Sequence, residues 1–375
     1  MSLAKPREGK SFGFHIYSDS SDEYTLGNPE TIIWSSIRHL CSASAARGLA
    51  SRIYGLSKRR ERDAAAWNIK LYIQQASEFY EAATSAKPNT APLIYYYAFL
   101  NLAKAVCELH RPLFHQREES YAHGLGWKPD TKKLVDLSKE FVTVRGKGVW
   151  HVLWESLMGR PCPATNRTSL SIRRLFSYCP EISAEFRRVF PGPVPLLELK
   201  EPAFLYDKAQ NEAWIRFSVE RGDLKNHGIS GPLLVRQIQS PRSGYVEVKA
   251  KDSEDRTFQS VNPKKLNKDD TPWSVMERDV AAFNLIASFG RGREMKYSIP
   301  LQTRLPLPLP QLIVSYTLLF WLGSLVRYDP HSVHALMDSE YWILIDGFMT
   351  QSRVWLLELF EWAFYQTETT LCTAR

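Results

Sequence analysis

Two short segments hold the residue types that chemistry on phosphate requires. Arg145-Gly-Lys-Gly-Val-Trp-His151 places five residues between arginine and histidine, and Arg327-Tyr-Asp-Pro-His-Ser-Val-His334 places six. Histidine transfers protons near neutrality, and a fixed guanidinium holds a phosphate bidentately. A simpler account of the second segment is structural. Arg327 then favours the exposed carbonyls at a helix C-terminus, Asp329 braces the turn and Pro330 stops the helix. A third account gives Arg327 and Tyr328 a ligand to read: the guanidinium takes a carboxylate or phosphate, and the phenol adds a directional hydrogen bond. His123-Gly124-Leu125 is a further ligand candidate. Gly124 permits a left-handed turn that aims His123 into a pocket, although a histidine that locks a helix junction has the same pattern.

Lys58, Arg59 and Arg60, with the pairs Arg173/Arg174 and Arg187/Arg188, are candidates for a phosphate-facing surface. Acids are interspersed among them, so a solvated basic face explains them equally well. The formal net charge of +8 points to acidic partners or nucleic acid without choosing between them. His110 and His115 are read as solvent-facing or capping groups, since their spacing identifies no metal site and no cofactor motif is present. Cys41, Cys107, Cys162, Cys179 and Cys372 are widely spaced without a CxxC pair, which is expected of reduced cytoplasmic thiols. The stretch MSLAKPREGKSFGF lacks the apolar segment of a signal peptide.

The elements that must position these residues are mostly helical. From Arg59 to Thr84 the spacing places Ala66, Ile69, Ile73, Ala76 and Tyr80 on one face. After Lys87-Pro88-Asn89 the run from Ala91 to His110 is apolar over most of its circumference, which predicts an interior helix. Its Tyr95, Tyr96 and Tyr97 cannot share one face. Asn101 and Lys104 lie one turn apart and are read as mutual helix support. Short helices are expected at Leu134 to Phe141 and Trp150 to Met158, and Ser169 to Phe190 continues the helical part. Pro191 to Pro195 breaks it. Between Ala203 and Ser260 the segments AFLYD, AWIRFSVE, PLLVRQI, GYVEVKA and RTFQSV predict an antiparallel sheet. A charged connection from Lys264 to Thr271 precedes a helix at Trp273 to Ile286. PLPLP at Pro306 to Pro310 leads into an apolar run from Leu312 to Val326. About fifteen residues make a helix of roughly 22 Å, short for a bilayer and suited to a core. Its Ser315, Thr317 and Ser324 can bond back to the preceding turn. Tyr341 to Phe364 supplies one or two final helices.

The fold class is therefore mainly α with an inserted small antiparallel β module, α+β overall. The division runs 1–195, a helical region; 196–265, the β module; and 266–375, a helical region that packs with the first.

YIQQASEFYEAA, APLIYYYAFLNLAKA, HGL at His123 to Leu125 and LLFWLGSLVRYDP at Leu318 to Pro330, taken in this order, resemble the YaaC-like family of bacterial proteins. That resemblance implies a largely helical bacterial protein and no particular reaction. The two strong helices and the Arg/His spacing also resemble HEPN-type proteins, which include ribonucleases and noncatalytic defence components. There, paired sites at a helical interface use His to shuttle a proton and Arg to stabilise phosphate charge. This chain departs from that pattern: Gly146 and Tyr328 stand where a polar residue follows Arg, and Pro330 interrupts the second segment.

The expectation is a cytoplasmic, non-enzymatic helical interaction or scaffold protein that spans no membrane, a component of a defence system contacting protein or nucleic acid. Its partner is another bacterial protein or a second copy of the chain, with nucleic acid or nucleotide as further partners. A metal-independent HEPN-like ribonuclease using Arg145, His151, Arg327 and His334 is the enzymatic alternative. A nucleotide or small-anion sensor using His123, Arg327 and Tyr328 is the third.

Overall fold

A computed structural model of the chain describes residues 7, 10–13, 29–52, 54–128, 135–238, 244–249, 254–266, 287–291, 294–301 and 305–365. The fold is mainly α with small antiparallel sheets. It divides into a helical unit, residues 27–194 with 305–365, and a β-rich unit, residues 1–26 with 195–304 and 366–375.

In the helical unit the 3–4 spacing becomes a long hairpin. Arg59–Thr84 buries Ala66, Ile69, Ile73, Ala76 and Tyr80 along one face. Ala91–His110 follows, with Pro92 in its first turn, where proline's missing N–H costs no helical hydrogen bond. Gln311–Tyr328 is a core helix in which every residue from Gln311 to Leu325 is buried. Thr317 Oγ1 donates to the Ile313 carbonyl at 2.6 Å, and Ser324 Oγ donates to that of Phe320 at 2.7 Å. These back-bonds satisfy the Thr317 and Ser324 hydroxyls in an apolar interior, whereas the buried Ser315 Oγ, expected to do the same, makes no such bond. A Cβ built on Gly323 would lie 3.1 Å from Tyr96 Cβ, so the glycine permits a close approach of the core helix to Ala91–His110.

The core helix ends as its sequence suggests. The Asp329 N–H donates to the Leu325 carbonyl, and its carboxylate accepts from Ser332 N at 3.1 Å and Ser332 Oγ at 2.6 Å. Asp329 thereby caps Pro330–Met337, which Pro330 opens. Trp342–Tyr365 is one continuous final helix. Pro310 is extended (φ −55°, ψ 150°), and Trp154 Nε1 donates to the Pro308 carbonyl, fixing the stiff lead.

Three short expectations differ. The residues described within Leu134 to Phe141 are not helical: Asp136 accepts from Ser138 N and Oγ in a turn, and Phe141–Val144 is a strand. Ser169 to Phe190 is interrupted. Ser169–Ser171 is a strand, Ser171 Oγ caps Ile172–Ser177, and Pro180 separates that helix from Ser183–Val189. PLLVRQI lies in a helix, Gly231–Ile238, because Leu234 and Ile238 bury one face at i,i+4 spacing while Ser230 Oγ accepts from Leu233 N.

Among the described residues, the β-rich unit holds an antiparallel sheet in the order Lys10–Gly13, Lys200–Asp207, Glu212–Glu220, Asp255–Ser260, Tyr245–Val248, and Lys264–Lys265 also pairs with Glu212–Glu220. A second sheet joins Ala287–Arg291, Glu294–Pro300 and Leu196–Glu198. Leu197, Ile215, Phe217, Leu234, Phe258, Tyr297 and Ile299 are buried in one core. The unit thus extends on both sides of the 196–265 interval and includes the N-terminal strand. The helix expected at 273–286 and the end of the 264–271 connection lie outside the described residues.

Candidate functional site

In helix Ala91–His110 the amide and charged side chains before the terminal His110 fall on one line. Tyr97, Asn101, Lys104 and Glu108 follow each other at four, three and four residues, the repeat of a single helix face. The facing strip of Arg59–Thr84 meets this line in antiparallel order. Phe79 lies against Tyr97 with ring centroids 5.7 Å apart, and the Lys104 ammonium is 5.8 Å from the Tyr72 ring centre. At the far end Asn68 Nδ2 is 2.9 Å from His115 Nδ1. His115 in turn lies 2.9 Å from Glu108 through Nδ1 and donates to it from its backbone N–H at 2.6 Å. Burial raises the Glu108 carboxyl, and the His115 contacts oppose the shift.

The His123 loop closes over the same region. Gly124 has φ +80°, and a Cβ there would meet Trp150 Cβ at 3.1 Å and Trp150 N at 3.2 Å. Gly148, at φ +146°, presses on the other side, where a Cβ would come within 2.5 Å of Gly124 Cα. Only glycines permit this contact. Backbone bonds fix it: Val149 N donates to Ala122 O, Trp150 N to His123 O, and Arg145 N to Gly124 O. His123 Nδ1 consequently sits 2.7 Å from the Tyr96 hydroxyl. Burial raises the Tyr96 phenol, so it keeps its proton, and in the tautomer where Tyr96 donates, His123 carries its proton on Nε2.

The electrostatics of this region are one-sided. Burial lowers the His123 pKa, and Lys104 and Arg327 lower it further. Burial also lowers Lys104. Arg327 is exposed at the end of the core helix, donates from Nη1 to the Tyr97 hydroxyl at 3.2 Å, and has its guanidinium carbon 5.2 Å from the Tyr328 ring centre. Among the described residues neither Lys104 nor Arg327 forms an ion pair. Lys104 and Arg327, neither held in an ion pair, thus both disfavour a charge on His123, an arrangement that an anion relieves.

The remaining sequence candidates lie elsewhere. His151 is buried below the loop, faces Gly124, and has no hydrogen-bond partner at either ring nitrogen; burial lowers its pKa. The Arg145 side chain runs against Gly126 and makes no hydrogen bond to His151. His334 is exposed on Pro330–Met337, and no hydrogen bond or ion pair joins it to Arg327. Lys58 pairs with Glu61 and Arg59 with Asp63, while Arg60 is exposed. Arg173 stacks on Phe190; Arg174, Arg187 and Arg188 are exposed, and none of these arginines is among the charges acting on His123. The described residues contain no group of three or more His, Cys, Asp or Glu able to hold a metal. Cys41, Cys107, Cys162 and Cys179 are free thiols. No helix among the described residues is long and apolar enough to cross a membrane.

The model of the YaaC-like protein family matches residues 38–361. The chain belongs to the YaaC-like family. No curated protein and no solved structure matches it. In this YaaC-like chain the matched span contains the whole helical hairpin, the His123 loop and the end of the core helix. Lys104, read from the sequence only as helix support beside Asn101, lies over Tyr72 of the neighbouring helix. It belongs to the run 97, 101, 104 and 108, four positions of one helix face.

Proposed function

We infer that the helical unit binds a small anionic ligand, a phosphate or carboxylate compound, and acts as a sensor of it. The observation that carries this reading is the chain of contacts from Arg327 through Tyr97 and Tyr96 to His123, a ring whose charge Arg327 and Lys104 both disfavour. Lys104 and Arg327 supply charge, Arg327 and Tyr97 supply direction, and His123 offers an Nε2 donor in the tautomer set by Tyr96. The ribonuclease alternative requires a histidine that reaches a phosphodiester. His151 is enclosed, so in that reading the proton shuttle falls to His123 or His334. A scaffold or defence role is compatible with a ligand whose presence a protein partner reads.

Calorimetric titration of the purified chain with inorganic phosphate, ribose 5-phosphate and dicarboxylates tests the inference. Binding is expected, and Arg327→Ala or Lys104→Ala weakens it about tenfold to a hundredfold, the worth of one charged hydrogen bond. A bound anion raises the His123 pKa from its lowered value, so the complex takes up a proton and affinity increases as pH falls from about 8 toward about 6. Failure of every anion to bind at low salt overturns the sensor reading. Release of cleaved RNA that disappears in His123→Ala turns the assignment to an enzyme.

A further inference from the structure

Resting on the anion reading above, we propose that the ligand is a free nucleoside phosphate, its phosphate taken by Lys104, His123 and Arg327 and its base stacked on the exposed aromatic rings beside them. Phe79 is 38% exposed and Tyr328 57% exposed, although both are large rings at a polar edge. Phe79 lies on Tyr97, whose hydroxyl holds Arg327, and Tyr328 carries the Arg327 guanidinium near its ring. Tyr72 underlies Lys104. The exposed rings border cations that no carboxylate pairs among the described residues. A nucleobase matches both demands: a planar π-face for the rings and the arginine, and a phosphate for the cations.

The size of the cationic cluster argues for a single nucleotide over a strand. A single-stranded polymer needs a basic groove that tracks several phosphates. On the same unit several other positive groups are paired with acids: Lys58 with Glu61, Arg59 and Arg47 with Asp63, Lys147 with Glu118, and Arg111 with Glu155.

The test compares affinities of the full chain for AMP, GMP, CMP and UMP with those for ribose 5-phosphate and for a single-stranded hexanucleotide at one salt concentration. At least one mononucleotide is expected to bind about tenfold or more tightly than ribose 5-phosphate, the range that base–aromatic stacking supplies. Phe79→Ala and Tyr328→Ala, both at exposed positions and checked for folding by circular dichroism, should each reduce that ratio toward one. Tyr328→Phe should preserve it. Equal affinity for ribose 5-phosphate and every mononucleotide overturns the stacking proposal and leaves anion binding intact. A hexanucleotide that binds far more tightly than any mononucleotide overturns the assignment to a free ligand. Absence of binding by all of them removes the anion reading and this proposal together.

Discussion

At the scale of single residues, the His123 loop depends on two missing side chains. Gly124→Ala must place a Cβ about 3.1 Å from Trp150 in a left-handed backbone, which costs about 1–3 kcal/mol and displaces His123 from Tyr96. Urea unfolding checks the first effect. A rise in the His123 pKa by NMR titration, as the ring leaves its buried place, checks the second. His123-Gly124 and Arg327-Tyr328 were legible in the sequence because a glycine beside a histidine and an arginine at a helix end are local signals. Lys104 was not, because its meaning comes from Tyr72 and from charges 19 or more residues away on other elements.

At the scale of elements, the closeness of the core helix to Ala91–His110 positions Tyr96 and therefore His123. Gly323→Leu introduces a branched side chain where Tyr96 Cβ and Leu93 Cα already lie at 3.1 and 3.5 Å from a bare Cβ. Overpacking of this kind costs ~1–3 kcal/mol, so thermal unfolding should shift downward and anion affinity should fall together with it. If stability drops while affinity is unchanged, Tyr96 does not transmit the helix position to His123. The long helices were readable because their periodicity runs over five or more turns. Leu134 to Phe141 and PLLVRQI were not, since seven or eight residues with an apolar run satisfy both helix and strand patterns, and caps or tertiary pairing decide.

At the scale of the whole molecule, buried ionisable groups make stability depend on pH in opposite senses. Glu181 is buried, and loss of solvation pushes its carboxyl up to about 7 despite the hydrogen bond from Ser352 at 2.5 Å. Its folded pKa exceeds the unfolded value of 4.5, so its contribution is complete below 4.5 and is lost as pH rises to about 7. His110, His123 and His151 have folded values below 6.5 and contribute the reverse slope: stability that is complete above 6.5 and lost as pH falls through their folded values. Unfolding free energies of the wild type and Glu181→Gln, measured from about pH 5 to 8, should differ most in slope between 4.5 and 7. Parallel curves would show that Glu181 is not titrating in the fold. The β module was visible in outline from its alternating segments, but the pairing of Lys10–Gly13 with Lys200–Asp207 joins residues about 190 apart and has no local signature. The polar line on Ala91–His110 has one more consequence, for the choice among ways of assembling the helices. An almost uniformly greasy cylinder can turn about its own axis at little cost, but rotation by one residue, about 100°, would carry Lys104 and Glu108 into surroundings that offer them neither water nor partner. Lys104 and Glu108 act as an index mark on the helix, favouring the rotational setting in which Lys104 lies over Tyr72 and Glu108 meets His115.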